Sequence, residues 1–199
     1  MTDPLAPLVS SIRACTLCAE RFAATHTRHR PRPIVRLSGT APILIASQAP
    51  GARAHASGLP FDDPSGDRLR AWLGVDRARF YDQRNFAILP MGFCFPGYDA
   101  KGSDLPPPRI CAKTWRAQAL NLLPQIKLTL LIGGYAQRWH LGTASVTQAV
   151  AGWRDAPPGV LPLPHPSWRN TAWLKKHPWF EAEVLHALRA NVQNLLEGS

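Results

Sequence analysis

No apolar run in this chain approaches the length needed to cross a bilayer, and the opening Met-Thr-Asp-Pro carries neither a basic n-region nor an apolar h-region. The expectation is a soluble, cytoplasmic protein with no membrane association. No repeat and no low-complexity linker divides the sequence, which excludes solenoids and tethered modules. At 199 residues the chain is expected to form one domain over 1–199, large enough to bury a core without disulfide staples. Acid is scarce. Only 13 Asp and Glu stand against 23 Lys and Arg, a formal charge of +10. Such an excess is the footprint of a polyanion partner, because neutralising phosphates supplies most non-specific nucleic-acid affinity. Arg greatly outnumbers Lys, and its planar fork is the better bidentate phosphate partner.

Cysteine is also sparse, and its placement is informative. All four residues, Cys15, Cys18, Cys94 and Cys111, fall into a Cys-x-x-Cys pair and a wider second pair. A Cys-x-x-Cys turn presents two sulfurs on one side of a tight loop. Its return to a second pair beyond a long insert suggests one centre tying the N-terminal segment to the middle of the domain. Spacing leaves zinc and an iron–sulfur cluster both open. Two disulfides or four unrelated buried thiols are the blander readings, and the missing secretory signal counts against the disulfides.

The pattern predicts alternating strands and helices. Residues 5–14 read as a short helix, and residues 20–40, with the basic cluster Arg28-His29-Arg30-Pro31-Arg32, as a surface loop. Ile43–Ala46, Phe86–Leu89, Leu128–Ile132 and Val160–Leu163 read as buried strands, the prolines placing the last toward an edge. Helices are expected over Asp67–Leu73 with Ser65 as N-cap, over Tyr135–Leu141, and from Pro178 to Leu196. The fold class is therefore α/β, with a mainly parallel sheet flanked by helices and its ligand crevice outside the carboxyl ends of the strands.

Three segments near those ends carry candidate chemistry. Gln48-Ala49-Pro50-Gly51 is a sharp turn after the first strand. It is followed by Gly58-Leu59-Pro60-Phe61-Asp62-Asp63-Pro64-Ser65-Gly66, where Phe61 offers a stacking platform. The adjacent Asp62 and Asp63 would raise one another's pKa if both were desolvated, while the plainer role for Asp63 is to cap the following helix. His165, locked between Pro164 and Pro166 and followed by Ser167, could donate to a developing anion. Trp168, Arg169, Trp173, Lys175, Lys176, His177 and Trp179 interleave cations with aromatics, suiting a nucleic-acid strand, although at least half of the tryptophans are expected in the core.

The ordered series Cys-x-x-Cys, strand, Gln48-Ala49-Pro50-Gly51, Gly58-x-Pro60-Phe61 with Ser65-Gly66, Cys94, Cys111 and His165-Pro166-Ser167 resembles the uracil-DNA glycosylase superfamily, and is most similar to its iron–sulfur families 4 and 5. The resemblance implies a central four-stranded parallel sheet and a 4Fe-4S cluster on Cys15, Cys18, Cys94 and Cys111. It also implies a base pocket formed by Gln48, Ala49, Pro50, Gly51, Phe61 and Ser167. Phe61 would stack on the extruded base. Gln48 would lie near the water or a base carbonyl, His165 would stabilise the departing uracil anion, and Asp63 would hold water and favour the cationic sugar. The loop after His165 would press into the minor groove, with Arg169, Lys175 and Lys176 on DNA.

Two departures stand out. Gln48 occupies the place of family 4's first-turn acid, and Leu89-Pro90-Met91-Gly92-Phe93-Cys94 lacks family 4's asparagine. Family 5 also lacks that amide and is similar in the aspartate before Ser-Gly, here Asp63. The chain resembles a divergent branch between the two, and these changes bear most on uracil specificity. The implied function is a repair glycosylase acting as a monomer on DNA containing uracil or another deaminated base, through base flipping. The alternatives are a catalytically impaired, cluster-containing DNA-binding protein of the same fold and a zinc-stabilised RNA-binding protein.

Overall fold

A computed structural model describes residues 4–143 and 145–198. Four short strands, β1 (Ile43–Ala46), β2 (Phe86–Ile88), β3 (Leu128–Ile132) and β4 (Val160–Leu163), form one sheet in the order β2-β1-β3-β4. Every pairing is parallel, with Ile43 opposite both Phe86 and Leu128, and Thr129 opposite Val160. β1 and β2 are apolar and buried along their whole length because helices cover both faces of the sheet. Ile43, Ile45, Leu128, Leu130 and Ile132 face one core layer with Leu69, Trp72, Phe180, Val184 and Leu188. Leu44 and Ala87 face the other, with Leu5, Ile12, Phe93 and Ala119. Pro162 is tolerated because β4 is an edge strand, as its composition predicts.

The helices are α1 (Leu5–Arg13), α2 (Ala19–Ala23), α3 (Ala52–Ser57), α4 (Pro64–Leu73), α5 (Arg77–Tyr81), α6 (Arg109–Asn121), α7 (Gly134–Leu141), α8 (Val146–Ala151), α9 (Thr171–Lys176) and α10 (His186–Glu197). The C-terminal helical stretch winds first as a π-helix over Phe180–Leu185 before continuing as α10. Among the described residues no helix is long and apolar enough to cross a membrane.

Several expectations are corrected. The N-cap of α4 is Asp63, with Pro64 rather than Ser65 opening the helix, since proline's fixed φ and absent N–H suit the first turn. The 20–40 segment is not all surface: α2 opens it, Ile34, Val35 and Leu37 are buried, and His29 stacks on Phe22. Helices α3, α5, α6 and α8 carried no clear apolar period. In α6 the reason is plain, because its buried face consists of Ala112, Arg116 and Ala119.

Arg116 is fully buried and has no carboxylate partner among the described residues. Its Nη1 donates to the carbonyls of Leu89 (2.9 Å) and Pro90 (3.4 Å), just beyond β2, and its Nη2 lies 2.7 Å from His140 Nε2. The guanidinium can only donate, so His140 Nε2 is the acceptor and the ring is neutral. Burial, with Arg116 adding to it, pushes His140 down to about 4. A histidine whose folded pKa is depressed binds a proton more readily when unfolded. Its stabilising effect is therefore present above about 6.5 and lost as pH falls toward 4. The melting temperature is expected to drop across that window, and His140→Gln, which keeps an acceptor for Arg116 but cannot titrate, is expected to flatten part of the drop when thermal unfolding is followed against pH.

Candidate active site

At the carboxyl ends of the strands lies a cleft of about 370 Å³. The turn after β1 contributes Ala49, Pro50 and Gly51, the segment before α4 contributes Phe61 and Asp63, and the loop after β4 contributes His165, Ser167, Trp168 and Arg169. The chain crosses from β2 back over β1 to β3, and such a reversal in strand order is where open α/β sheets bind ligands.

Asp63 is both a helix cap and a cleft residue. Its Oδ1 accepts from the Gly66 N–H at 2.8 Å, capping α4, while Oδ2 lies on the side of Gly51, 4.0 Å from where a Cβ there would stand. One oxygen is committed to the fold, and the other is open to the cleft. Asp62 diverges instead: Arg77 holds its carboxylate at 2.8 Å on the exposed side and keeps it below the usual range. Phe61 lines the cleft with φ at 57°, a left-handed backbone unusual for an aromatic residue. Tyr81 Oη (3.1 Å) and Arg70 Nη1 (3.3 Å) both donate to its carbonyl, and its ring stands edge-on to Phe80.

His165 has a defined tautomer. The Ser167 N–H donates to Nδ1 at 3.2 Å, so Nδ1 is unprotonated and Nε2 carries the hydrogen. Burial lowers the imidazole's pKa, with the Asp63 carboxylate opposing part of the fall. A neutral ring with an Nε2 donor is the result. Asn170 Nδ2 donates to the His165 carbonyl at 2.7 Å, bracing the loop, and Arg68 Nη1 donates to the Ser167 carbonyl at 2.9 Å.

Gln48 is placed apart from this group. It lines a neighbouring cavity of about 360 Å³ with Gly133, Gly134, Arg138 and Asn170, and His165 is the residue common to both cavities. Arg169 lines the cleft, stacked near the exposed Trp168 ring, whereas Lys175 and Lys176 sit on the exposed end of α9 outside it. Trp173 and Trp179 pack against the core, and Trp173 Nε1 donates to Thr147. Sequence reasoning missed Tyr98, Asp104 and Arg53, which also line the cleft. No apolar period or strand end marks the loop that carries Tyr98 and Asp104.

The four cysteines converge. Cys15, Cys18, Cys94 and Cys111 border one small cavity of about 20 Å³ with Leu17, Phe22, Pro31, Phe93 and Ile110, and none is joined to another in a disulfide. Among the described residues no group of three or more His, Cys, Asp or Glu is arranged to hold a metal ion. Burial pushes the Cys94 and Cys111 thiols up to about 12, so anionic sulfurs in this apolar pocket require a cationic centre. The Phe93 N–H donates to Cys111 Sγ at 3.3 Å, and the Arg32 backbone N–H favours the Cys94 thiolate. Four convergent thiols with N–H donors to sulfur are a donor set that fits a thiolate-bound cluster.

The model of the uracil DNA glycosylase superfamily matches residues 35–189, so the chain belongs to that superfamily. Cys15 and Cys18 lie before the matched segment, while Cys94, Cys111 and the whole cleft lie within it.

The tight joint in this site is Gly66. A Cβ there would stand 1.8 Å from the Phe61 carbonyl oxygen. Gly66→Ala is expected to destabilise the fold by at least about 1–3 kcal/mol, the scale of overpacking in a dense interior, measured as a shift in urea midpoint.

Proposed function

We propose that the protein is a DNA repair glycosylase that extrudes uracil or another deaminated base and hydrolyses its N-glycosidic bond. The observation that carries this reading is the meeting of Asp63, His165 and Phe61 with the Pro50-Gly51 turn in one cleft, beside Arg169. In the reaction the C1′–N bond breaks, the base keeps the bonding electrons, and water adds to C1′ and gives up a proton. The base needs a stabilised negative charge and the sugar a stabilised positive one. The neutral His165 Nε2–H would donate to the departing base without transferring its proton, and the open Asp63 oxygen would favour the cationic sugar and orient water. Extrusion costs a few kcal/mol. Stacking on Phe61 would offset about 1–3 kcal/mol of that. The +10 charge supplies the attraction to the phosphate backbone.

We further propose that Cys15, Cys18, Cys94 and Cys111 hold a 4Fe-4S cluster. When bound, the cluster would serve as a structural tie between the N-terminal segment and α6. All four cysteines border one cavity, and a cubane takes one thiolate from each of four cysteines. A second reading, a DNA-binding protein of this fold with impaired catalysis, draws support from Gln48, which replaces an acid and faces the neighbouring cavity.

Single-turnover base release from oligonucleotides carrying uracil, hypoxanthine or xanthine tests the enzymatic reading. Asp63→Asn is the informative variant, because asparagine still caps α4 but carries no charge. It is expected to melt within about 1 kcal/mol of wild type, the scale of a single cap, while losing most base release. His165→Ala is expected to slow release about 10²–10³-fold, as loss of one anion-stabilising donor does. Wild-type protein that binds DNA but releases none of these bases would favour the second reading.

For the metal centre, purified protein is expected to be brown and to contain iron and sulfide. Cys111→Ser is expected to lose iron and solubility together, measured by metal analysis. Full iron content in that variant would exclude the four-cysteine site.

A further inference from the structure

A basic segment lies outside the cleft, between α2 and β1. From Glu20 to Asp62 the chain has no intervening acidic residue and no lysine, so every formal cation in that stretch is an arginine. Past α2 the residues alternate one by one between solvent and interior. Thr27, His29, Pro31 and Pro33 are half-buried, while Arg28, Arg30 and Arg32 are exposed. The inward set holds the segment in place. Pro31 and Pro33 border the cysteine cavity, and their rings fix the backbone there. His29 stacks on Phe22 with ring centroids 4.8 Å apart, and its Nε2 donates to the Phe95 carbonyl at 2.9 Å.

Arg32 joins this segment to the cleft. Its Nη1 donates to the Ala56 carbonyl at 2.8 Å and to that of His55, both in the last turn of α3, and its guanidinium fills the space beside Gly58. The other end of α3 is cleft wall, where Gly51, Ala52 and the exposed Arg53 line the cavity. Six helical residues span about 9 Å, about three base pairs of DNA at 3.4 Å each. Arg70, Arg77, Arg84 and Arg154 are each paired with a carboxylate. The Arg28, Arg30 and Arg53 side chains have no hydrogen-bond or ion-pair partner among the described residues. Three unneutralised guanidinium groups therefore stand on a braced surface that begins at the cleft.

Given the glycosylase reading, on which this inference rests, we propose that Arg28 and Arg30 continue from Arg53 as a phosphate-binding track for the DNA flanking the extruded base. A guanidinium without a carboxylate partner has its whole fork of donors available for a phosphate and breaks no ion pair to use it. The prolines and the His29 contacts order the backbone before DNA arrives, which lowers the entropy cost of the contact. DNA is favoured over an acidic protein by continuity: the track starts at the wall of the cleft that takes the base, so one backbone reaches both. Arg169 stands in the loop after β4, so cations come to the cleft from two separate segments of the chain.

The test is the salt dependence of duplex binding, measured by fluorescence anisotropy between about 50 and 200 mM salt. Two probes are used: an undamaged duplex, and the same duplex with a central 2′-fluoro-2′-deoxyuridine, whose glycosidic bond resists hydrolysis. Arg28→Gln/Arg30→Gln is expected to reduce the slope of log K against log salt by about 2, about one for each phosphate contact, and equally on both probes. Arg28→Lys/Arg30→Lys, which keeps the charge, is expected to retain the slope. Lys127→Gln/Arg154→Gln removes the same charge at the amino-terminal ends of β3 and β4, away from the cleft, and is expected to bind as wild type does. A wild-type slope in Arg28→Gln/Arg30→Gln overturns the assignment. An equal loss in Lys127→Gln/Arg154→Gln overturns it too, because net charge alone would then account for the effect. Base release from a uracil-containing duplex is followed in parallel. If wild type releases no base, the glycosylase reading fails, while the slopes still test the track.

Discussion

The arrangement of the cleft depends on one hydrogen bond, from the Gly66 N–H to Asp63 Oδ1. It starts α4, satisfying a backbone donor that would otherwise be orphaned in a half-buried setting. It also anchors Asp63 so that its second oxygen turns toward Gly51. The chain just before it must fold back tightly, which forces Phe61 into a left-handed backbone and brings its carbonyl against Gly66. Tyr81 and Arg70 then hold that carbonyl. A cap, a strained aromatic residue and a glycine without room for a methyl group are parts of one local solution. The cleft inherits its geometry from it.

A second constraint lies under the floor. Arg116 buries its charge without a carboxylate, at a cost offset by two carbonyls and a neutral histidine. The carbonyls belong to Leu89 and Pro90, and Pro90 lines the cleft. Because α6 also carries Cys111, one helix ties the cysteine cavity to the end of β2. The iron–sulfur proposal and the glycosylase proposal thus concern neighbouring parts of a single packed unit.

The electrostatics of the cleft follow burial more than net charge. The surface carries a large basic excess, yet His165 is held neutral, with its tautomer set by a backbone N–H. In the proposed reading, long-range attraction for a polyanion and short-range chemistry at a base would be handled by different groups. Arginines at the rim would serve the first, and uncharged or singly committed side chains the second.

Much of the architecture was legible in the residues. Ile43–Ala46, Phe86–Ile88, Leu128–Ile132 and Val160–Leu163 announce themselves as nearly continuous apolar runs, Thr129 being the one polar residue, because a strand covered on both faces has almost no solvent side to record. The convergence of the four cysteines and the nearness of Phe61, Asp63 and His165 could be anticipated from motif order, since strand ends in such a sheet share one edge. Other features depended on contacts between distant segments. Helix α6 was hidden because its core face is Ala112, Arg116 and Ala119, and the buried arginine makes sense only beside Leu89, Pro90 and His140. Gln48 follows the strand end as expected, but its cavity was decided by the loops after β3 and β4. Asp104 has no periodicity or motif around it. Its place was set by a loop braced on nearby Phe95 and on Thr25, far from it in sequence, and only the packed chain brings its carboxyl to the cleft.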